Sequence, residues 1–228
     1  MKTQILILIL TITTLNIFGQ NKYERKKEES FVCLEPAINS GSLKFIKTFK
    51  CVSNEGDDIQ SLLRAIRVEA EKLGANSFKV NSFSRNDTTK VMTLTLDAYL
   101  ASKQMLELNS AMHEDNVIYI FCDDKFNGKE HTFKINGEQK TIKSGTYYKC
   151  IIKENSEVVI NKGGVTGGTL KVKWEIGNPA RFISITGFTF MDIPRPSNAI
   201  GVGFSTGKIY QMTANFGLLL TQTLKIYE

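Results

Sequence analysis

Apolar residues recur along this chain with two different periods, and the change of period divides it. Ile59, Leu62, Leu63, Ile66, Ala70 and Leu73 follow one another at three- and four-residue steps, which places them on one face of a helix. Asp57 and Asp58 stand where carboxylates can cap the first amides, and Gly74 follows Lys72 where a left-handed residue ends a helix. Arg64, Arg67, Glu69 and Glu71 take the opposite, solvent-facing side. Strands are predicted on both flanks. Leu43 to Val52 comes before the helix, and Phe78, Val80 and Ser82 alternate after it. A polar turn over 85–90 then leads into Val91 to Ala101, where Met92, Leu94, Leu96 and Ala98 share a face. The order is β-α-β-β, its last two strands forming a hairpin.

A short amphipathic segment, Lys103 to Met112, ends at His113-Glu114-Asp115-Asn116, which reads as a boundary. Beyond it the helical period gives way to short apolar runs separated by turn residues: Val117–Cys122, His131–Ile135, Thr146–Ile152, Val158–Ile160, Leu170–Ile176 and Phe182–Phe188. Asn136-Gly137 is a tight hairpin signal, since both central residues of that turn need positive φ. Pro194 and Pro196 precede three further expected strands, Ile200–Phe204, Lys208–Met212 and Leu218–Tyr227. The pattern therefore predicts an α+β protein: a small β-α-β-β domain over 41–111, then a larger antiparallel all-β domain over 112–228, a sandwich or partly open barrel.

The N-terminus has a different character. Met1-Lys2 is followed by an apolar stretch from Ile5 through Leu15 that carries no charge before Lys22. It is shorter than the roughly 20 residues that cross a bilayer and fits the core of a secretory signal. Gly19 is the small residue expected before cleavage, with bulky Ile17 three positions back from the cut, and Gln20 would begin the mature chain. This ending resembles those of Bacteroidetes-type exported proteins. Residues 1–19 are thus expected to be a signal peptide and 20–40 a leader. The mature protein is expected to be periplasmic or extracellular, without a membrane span or, lacking a cysteine at the cut, a lipid anchor.

Charge adds mainly exclusions. The 228 residues carry a net +6 with 23% charged and 42% hydrophobic residues, ordinary values for a folded chain. The surplus is spread over both halves, and the cations Lys22, Arg25, Lys26 and Lys27 are interleaved with three glutamates. No tract suits a phosphate backbone, so nucleic acid is not an expected partner. An envelope protein or polysaccharide is the expected kind. The cysteines Cys33, Cys51, Cys122 and Cys150 form no CxxC, which excludes a zinc ribbon or thioredoxin-like centre. For an exported chain an even count suggests structural bridges, Cys33–Cys51 and Cys122–Cys150 by proximity, with buried thiols as the alternative.

Ala65-x4-Ala70-x2-Leu73-Gly74-Ala75-Asn76, followed directly by a strand, resembles the helix-to-strand turn of YbjQ-like and RcsF-like small α+β domains. The resemblance covers 43–101 and implies a fold, not a function. Phe133-Lys134-Ile135-Asn136-Gly137 through Gly145-Thr146-Tyr147-Tyr148 resembles PEGA-like β modules of exported proteins over 117–188. Such modules are mostly structural or binding units.

Candidate chemistry is sparse. His113, Asp123, Asp124 and His131 could supply metal ligands if the chain turned back on itself, though no spacing matches a zinc signature. No cofactor motif is present. Glu114, Asp123, Asp124 and His131 would be the acid and base of a secreted hydrolase if they met across a cleft. Ser205 in Gly203-Phe204-Ser205-Thr206-Gly207 has the outer spacing of a nucleophile elbow but is followed by a strand pattern. The glycines at 163, 164, 167 and 168 lack the ending of a phosphate loop. Trp174, Tyr147, Tyr148 and Phe182 could form an aromatic platform, but Trp174 alternates with Leu170 and Val172 as a core residue would. Asp87-Thr88-Thr89 resembles a short O-glycosylation acceptor. The apolar run Phe216–Leu220 would be the docking surface of an adaptor. These residues point first to a non-catalytic binding or envelope-interaction module, with the hydrolase as the alternative.

Overall fold

The computed structural model describes residues 30–54, 57–86, 88–122, 127–163, 167–186 and 208–227. The signal segment, Asp87, Asp123, Asp124, the centre of the glycine loop and Ser205 lie outside them.

The predicted β-α-β-β run is present nearly residue for residue. It starts one strand earlier, because β1 (Val32–Cys33) pairs in parallel with β3 (Ser77–Arg85). β2 (Lys44–Val52) and β3 both pair antiparallel with β4 (Met92–Leu100), giving the order β1-β3-β4-β2. Val32 and Cys33, read as leader, are therefore part of the sheet, and Phe31, Cys33 and Leu34 are buried. Between β2 and β3 runs α1 (Ile59–Lys72), capped by the Asp58 carboxylate, which accepts from the Ser61 amide at 2.7 Å. The periodic apolar face of α1 meets Leu94, Leu96 and Phe78 from the sheet. Edge strand β2 exposes Lys44, Lys47 and Lys50, charges that discourage pairing with another chain.

The second half builds two more sheets. One has the order β10-β9-β6-β7, from β6 (Glu130–Ile135), β7 (Glu138–Lys143), β9 (Glu157–Lys162) and β10 (Gly168–Lys173). Asn136 and Gly137 turn β6 into β7 at φ 52° and 85°. The other has the order β12-β11-β5-β8-β13, from β5 (Val117–Phe121), β8 (Thr146–Ile151), β11 (Arg181–Ser184), β12 (Tyr210–Gln211) and β13 (Lys225–Ile226). β11 runs parallel to β5 and β13 parallel to β8, so this sheet is mixed, and among the described residues no barrel closes. Ile118, Ile120 and Ile183 from one face of β5 and β11 pack with Phe133, Ile142, Val158, Ile160 and Val172 of the first of these sheets, the sandwich core.

Three expectations are corrected. The stretch Leu218–Tyr227 is mostly helix: α3 (Ala214–Thr223), capped by the Thr213 hydroxyl, with only Lys225–Ile226 extended. A short apolar run cannot by itself distinguish a buried helix from a strand, and α3 buries Phe216, Leu218, Leu219 and Leu220. The run is thus core, not an exposed docking surface. Its neighbours are β1, β3 and β11, so Phe121, Phe182 and Phe216 share one cluster with Phe31, Phe78 and Leu94.

Second, no disulfide joins the cysteines. Cys33 and Cys51 lie on the two opposite edges of the first sheet, three strand spacings or at least about 14 Å apart. Cys150 faces Ile118, four residues along β5 from Cys122, about 13 Å of strand. Both exceed the roughly 7 Å over which two cysteines can be bridged. Burial holds the Cys33, Cys51 and Cys150 thiols above their ordinary range, keeping them protonated. Third, Ile176 does not continue the Leu170–Val172 face. β10 ends at Lys173, Gly177 turns the chain at φ 69°, and Ile176 is 90% exposed.

Gly217 is where α3 touches the third sheet. A Cβ there would fall on the Phe182 ring, which is 4% exposed and stacked on Tyr119 at 5.2 Å. Overpacking costs up to about 3 kcal/mol, against about 1 kcal/mol gained by alanine over glycine in a helix. Gly217→Ala should therefore lower unfolding free energy by about 2 kcal/mol in urea titrations. Unchanged or higher stability would contradict this packing.

Candidate functional site

Four segments distant in sequence meet where the two halves join. Helix α2 (Lys103–Ala111), capped by the Ser102 hydroxyl, stops at Met112 and delivers His113 and Glu114. The buried Asn109 of that helix fixes the end of β1: its Oδ1 accepts from the Glu35 amide at 2.7 Å, and its Nδ2 donates to the Cys33 carbonyl at 3.1 Å. Glu35 is thereby held opposite His113. From the other side Tyr119 of β5 and Phe182 of β11 form a wall, and α3 closes the end with Ala214, Leu218 and Thr221. A cleft of about 280 Å³ remains between them.

Asn116 holds the rim together. It takes φ 56°, a left-handed value that asparagine tolerates. Its Nδ2 donates to the Glu175 carbonyl at 2.9 Å and its Oδ1 accepts from the Glu175 amide at 3.1 Å. Its own amide donates to the Asn178 carbonyl at 2.7 Å, and the Ala180 amide donates to the Glu114 carbonyl at 3.1 Å. The segment read as a domain boundary is therefore clamped to the chain entering β11, which brings Pro179 and Ala180 to the cleft wall.

The two carboxylates of the cleft differ in environment. Glu114 is saturated: Lys149 Nζ donates to Oε1 at 2.6 Å and the Tyr119 hydroxyl donates to Oε2 at 2.5 Å. Burial alone would raise Glu114, but these two hydrogen bonds and the Lys149 charge outweigh it and hold the carboxyl below its ordinary range. Tyr119 is pushed up, by burial first and by its bond to Glu114. Glu35 has one ion-pair partner among the described residues, His113 Nε2 at 3.8 Å from Oε1, and no hydrogen-bond donor. Burial raises its carboxyl above the ordinary value; His113 opposes the rise and the negative Glu114 adds to it.

Of the expected site residues, His113 and Glu114 line this cleft. His131 does not: it lies on β6, paired with Ile142 in the other sheet of the sandwich. Asp123 and Asp124 are outside the described residues, among which no group of three or more His, Cys, Asp or Glu could hold a metal ion. The aromatic candidates divide between two cores, Tyr147 and Phe182 with the first cluster, Tyr148 and Trp174 with the second. Glu35 and Tyr119 were not singled out by sequence. Glu35 follows a two-residue strand in what reads as a leader, and Tyr119 sits in an unbroken apolar run; only the fold brings them together. Among the described residues no helix is long and apolar enough to cross a membrane.

Opposite pH linkages follow for the two carboxyls. Glu35, raised above 4.5, favours the fold below its unfolded value and loses that contribution as pH rises through its folded value. Glu35→Gln should match wild type near pH 3 and become the more stable chain by pH 7. Glu114, lowered from 4.5, contributes above that value and loses it as pH falls. Glu114→Gln should cost about 1 kcal/mol at pH 7, since the pair is part-exposed, and little near pH 3. Urea titrations across this range check both signs; parallel curves for the two variants would contradict the assignment. No protein-family model, no curated protein and no solved structure matches this chain.

Proposed function

We propose that the protein is an exported, non-catalytic binding module whose ligand occupies the cleft between α2, β5, β11 and α3. The observation that carries this reading is the convergence of four chain segments on one concave site, with apolar walls and a carboxylate left without a donor. Small-molecule sites are concave, with apolar walls and a few placed polar groups that orient the ligand. A volume of about 280 Å³ suits a small ligand or the end of a larger one, such as a residue of an envelope polymer. Export rests on the charged start, the apolar core and Gly19 of the expected signal peptide.

One observation favours a hydrolase as the second reading. Glu35, with its carboxyl raised and His113 at 3.8 Å, has the make-up of an acid–base pair. The binding reading is preferred because Glu114 and Tyr119 are already committed to each other and to Lys149, which leaves no second free carboxylate lining the cleft among the described residues.

A thermal-shift screen of the mature protein against small metabolites and envelope-derived sugars and peptides tests this, alongside Met112→Trp, which fills the cleft mouth. Hits should raise the wild-type midpoint, by the equivalent of about 2.7 kcal/mol at a hundredfold excess over Kd, and leave Met112→Trp unmoved. Hits that stabilise both chains equally would overturn the site. Turnover of ester, glycoside or phosphate substrates that disappears in Glu35→Gln would replace the binding reading with the hydrolase.

A further inference from the structure

The cleft is asymmetric in a way that selects its ligand. Among the described residues, each polar side chain on its rim has a hydrogen-bond partner except one. Both Glu114 oxygens are occupied, by Lys149 and by Tyr119. The Thr221 hydroxyl donates to the Leu218 carbonyl at 2.9 Å within α3. His113 Nε2 lies 3.4 Å from Asn109 Nδ2. The Glu35 carboxylate alone has no donor among the described residues, while its backbone amide is fixed by Asn109. It is only about a quarter exposed, so water reaches it incompletely. A part-buried carboxylate without a donor is costly, and a ligand that brings donors removes that cost.

The aromatic wall argues against a sugar stacked on a ring. Phe182 covers Tyr119 at 5.2 Å with the planes 5° apart, Tyr147 packs against Tyr119 at 5.9 Å, and Lys149 Nζ lies 5.8 Å from the Tyr119 centroid. No wide aromatic face is left for a pyranose. The remaining walls, Met112, Pro179, Ala180, Ala214 and Leu218, suit a short aliphatic stem.

Charge points the same way. Two carboxylates line the cleft, and Lys149 beside them already donates to Glu114. An anion would meet Glu35 without a compensating donor. A cation would find Glu35 open, with the Glu114 carboxylate adding attraction at longer range.

We infer that the cleft binds a primary ammonium group carried on a short aliphatic stem, the ammonium donating to the Glu35 carboxylate and the stem lying along Met112, Ala180 and Leu218. This rests on the cleft being the binding site and names the ligand class for it. The amine of a short alkylamine, of a lysine-like side chain or of a diamine shares this chemistry. Recognition also acquires a pH dependence. The titratable groups facing Glu35 are Cys33 from β1, His113 and Glu114 from the segment after α2, and Tyr119 from β5. As pH falls, Glu35 gains a proton and loses the charge that attracts an ammonium, which weakens binding.

Three molecules of nearly equal size separate the possibilities: n-butylamine, n-butanol and butyrate, titrated at pH 7.5 while the Met112 methyl resonance is followed by NMR. Butylamine should shift the resonance and bind at least tenfold more tightly than butanol, about 1.4 kcal/mol, the margin expected of a charge-assisted over a neutral hydrogen bond. Glu35→Gln should reduce butylamine to the butanol level while leaving butanol unchanged, which shows that the variant cleft is intact. Lowering the pH from 7.5 to 5 should weaken butylamine in wild type only. Butanol binding as tightly as butylamine in both chains would overturn the ammonium inference and leave the cleft as an apolar site, so the binding-module reading would survive. Tightest binding by butyrate would overturn it by charge sign. Absence of any shift with butylamine would overturn it as well, and the metabolite screen would then judge the site separately.

Discussion

The structure depends on where one apolar helix is placed. α3 buries residues on successive positions, from Asn215 through Leu220, so it cannot lie on a surface and must be enclosed on more than one side. It finds those sides by sitting between the first sheet, at β1 and β3, and the third, at β11. Close approach to β11 requires that residue 217 have no side chain, because the Phe182 ring occupies that space. The consequence is a core that runs from α1 and β4 through α3 to β5 and β11. β5 is correspondingly apolar on both faces: Ile118 and Ile120 face the sandwich, and Phe121 and the half-buried Tyr119 face α3.

The cleft is a by-product of that arrangement. It runs along one face of α3, over Ala214, Leu218 and Thr221, and polar groups from the neighbouring segments fill the rim. The rim is rigid where it must hold charge. Asn109 fixes the backbone of Glu35, Asn116 fixes the segment bearing His113 and Glu114, and both asparagines are buried and hydrogen-bonded by backbone groups on a different element. In the proposed binding role such pre-positioning would lower the ordering cost of a ligand.

Much of the fold was legible in the order of residues. α1 announced itself through the Ile59–Ala70 periodicity with Asp58 in front, and the β6–β7 hairpin through Asn136-Gly137. Alternation located most of the strands, whose ladders are set by local patterns of burial. What depends on distant parts of the chain was not legible. β1 is two residues long and exists because β3 offers an edge, so it reads as leader. α3 reads as strand because five apolar residues carry no period of their own. The cysteines look paired along the chain but are separated by the sheet order. The site follows the same division. His113 and Glu114 stood out as polar residues at a junction, whereas Glu35 acquires its role only by being brought to them through Asn109 and β1.

The central claim is that α3 makes the first sheet and the mixed sheet one cooperative unit, with the cleft at their seam. Native-state hydrogen exchange measured across low urea concentrations tests it most directly. The slowest amides of β3 and β4, of β5 and of α3 should converge on one opening free energy with one urea dependence. Two separate limits, with β3 and β4 opening independently of β5 and α3, would show two units in contact and would contradict the account.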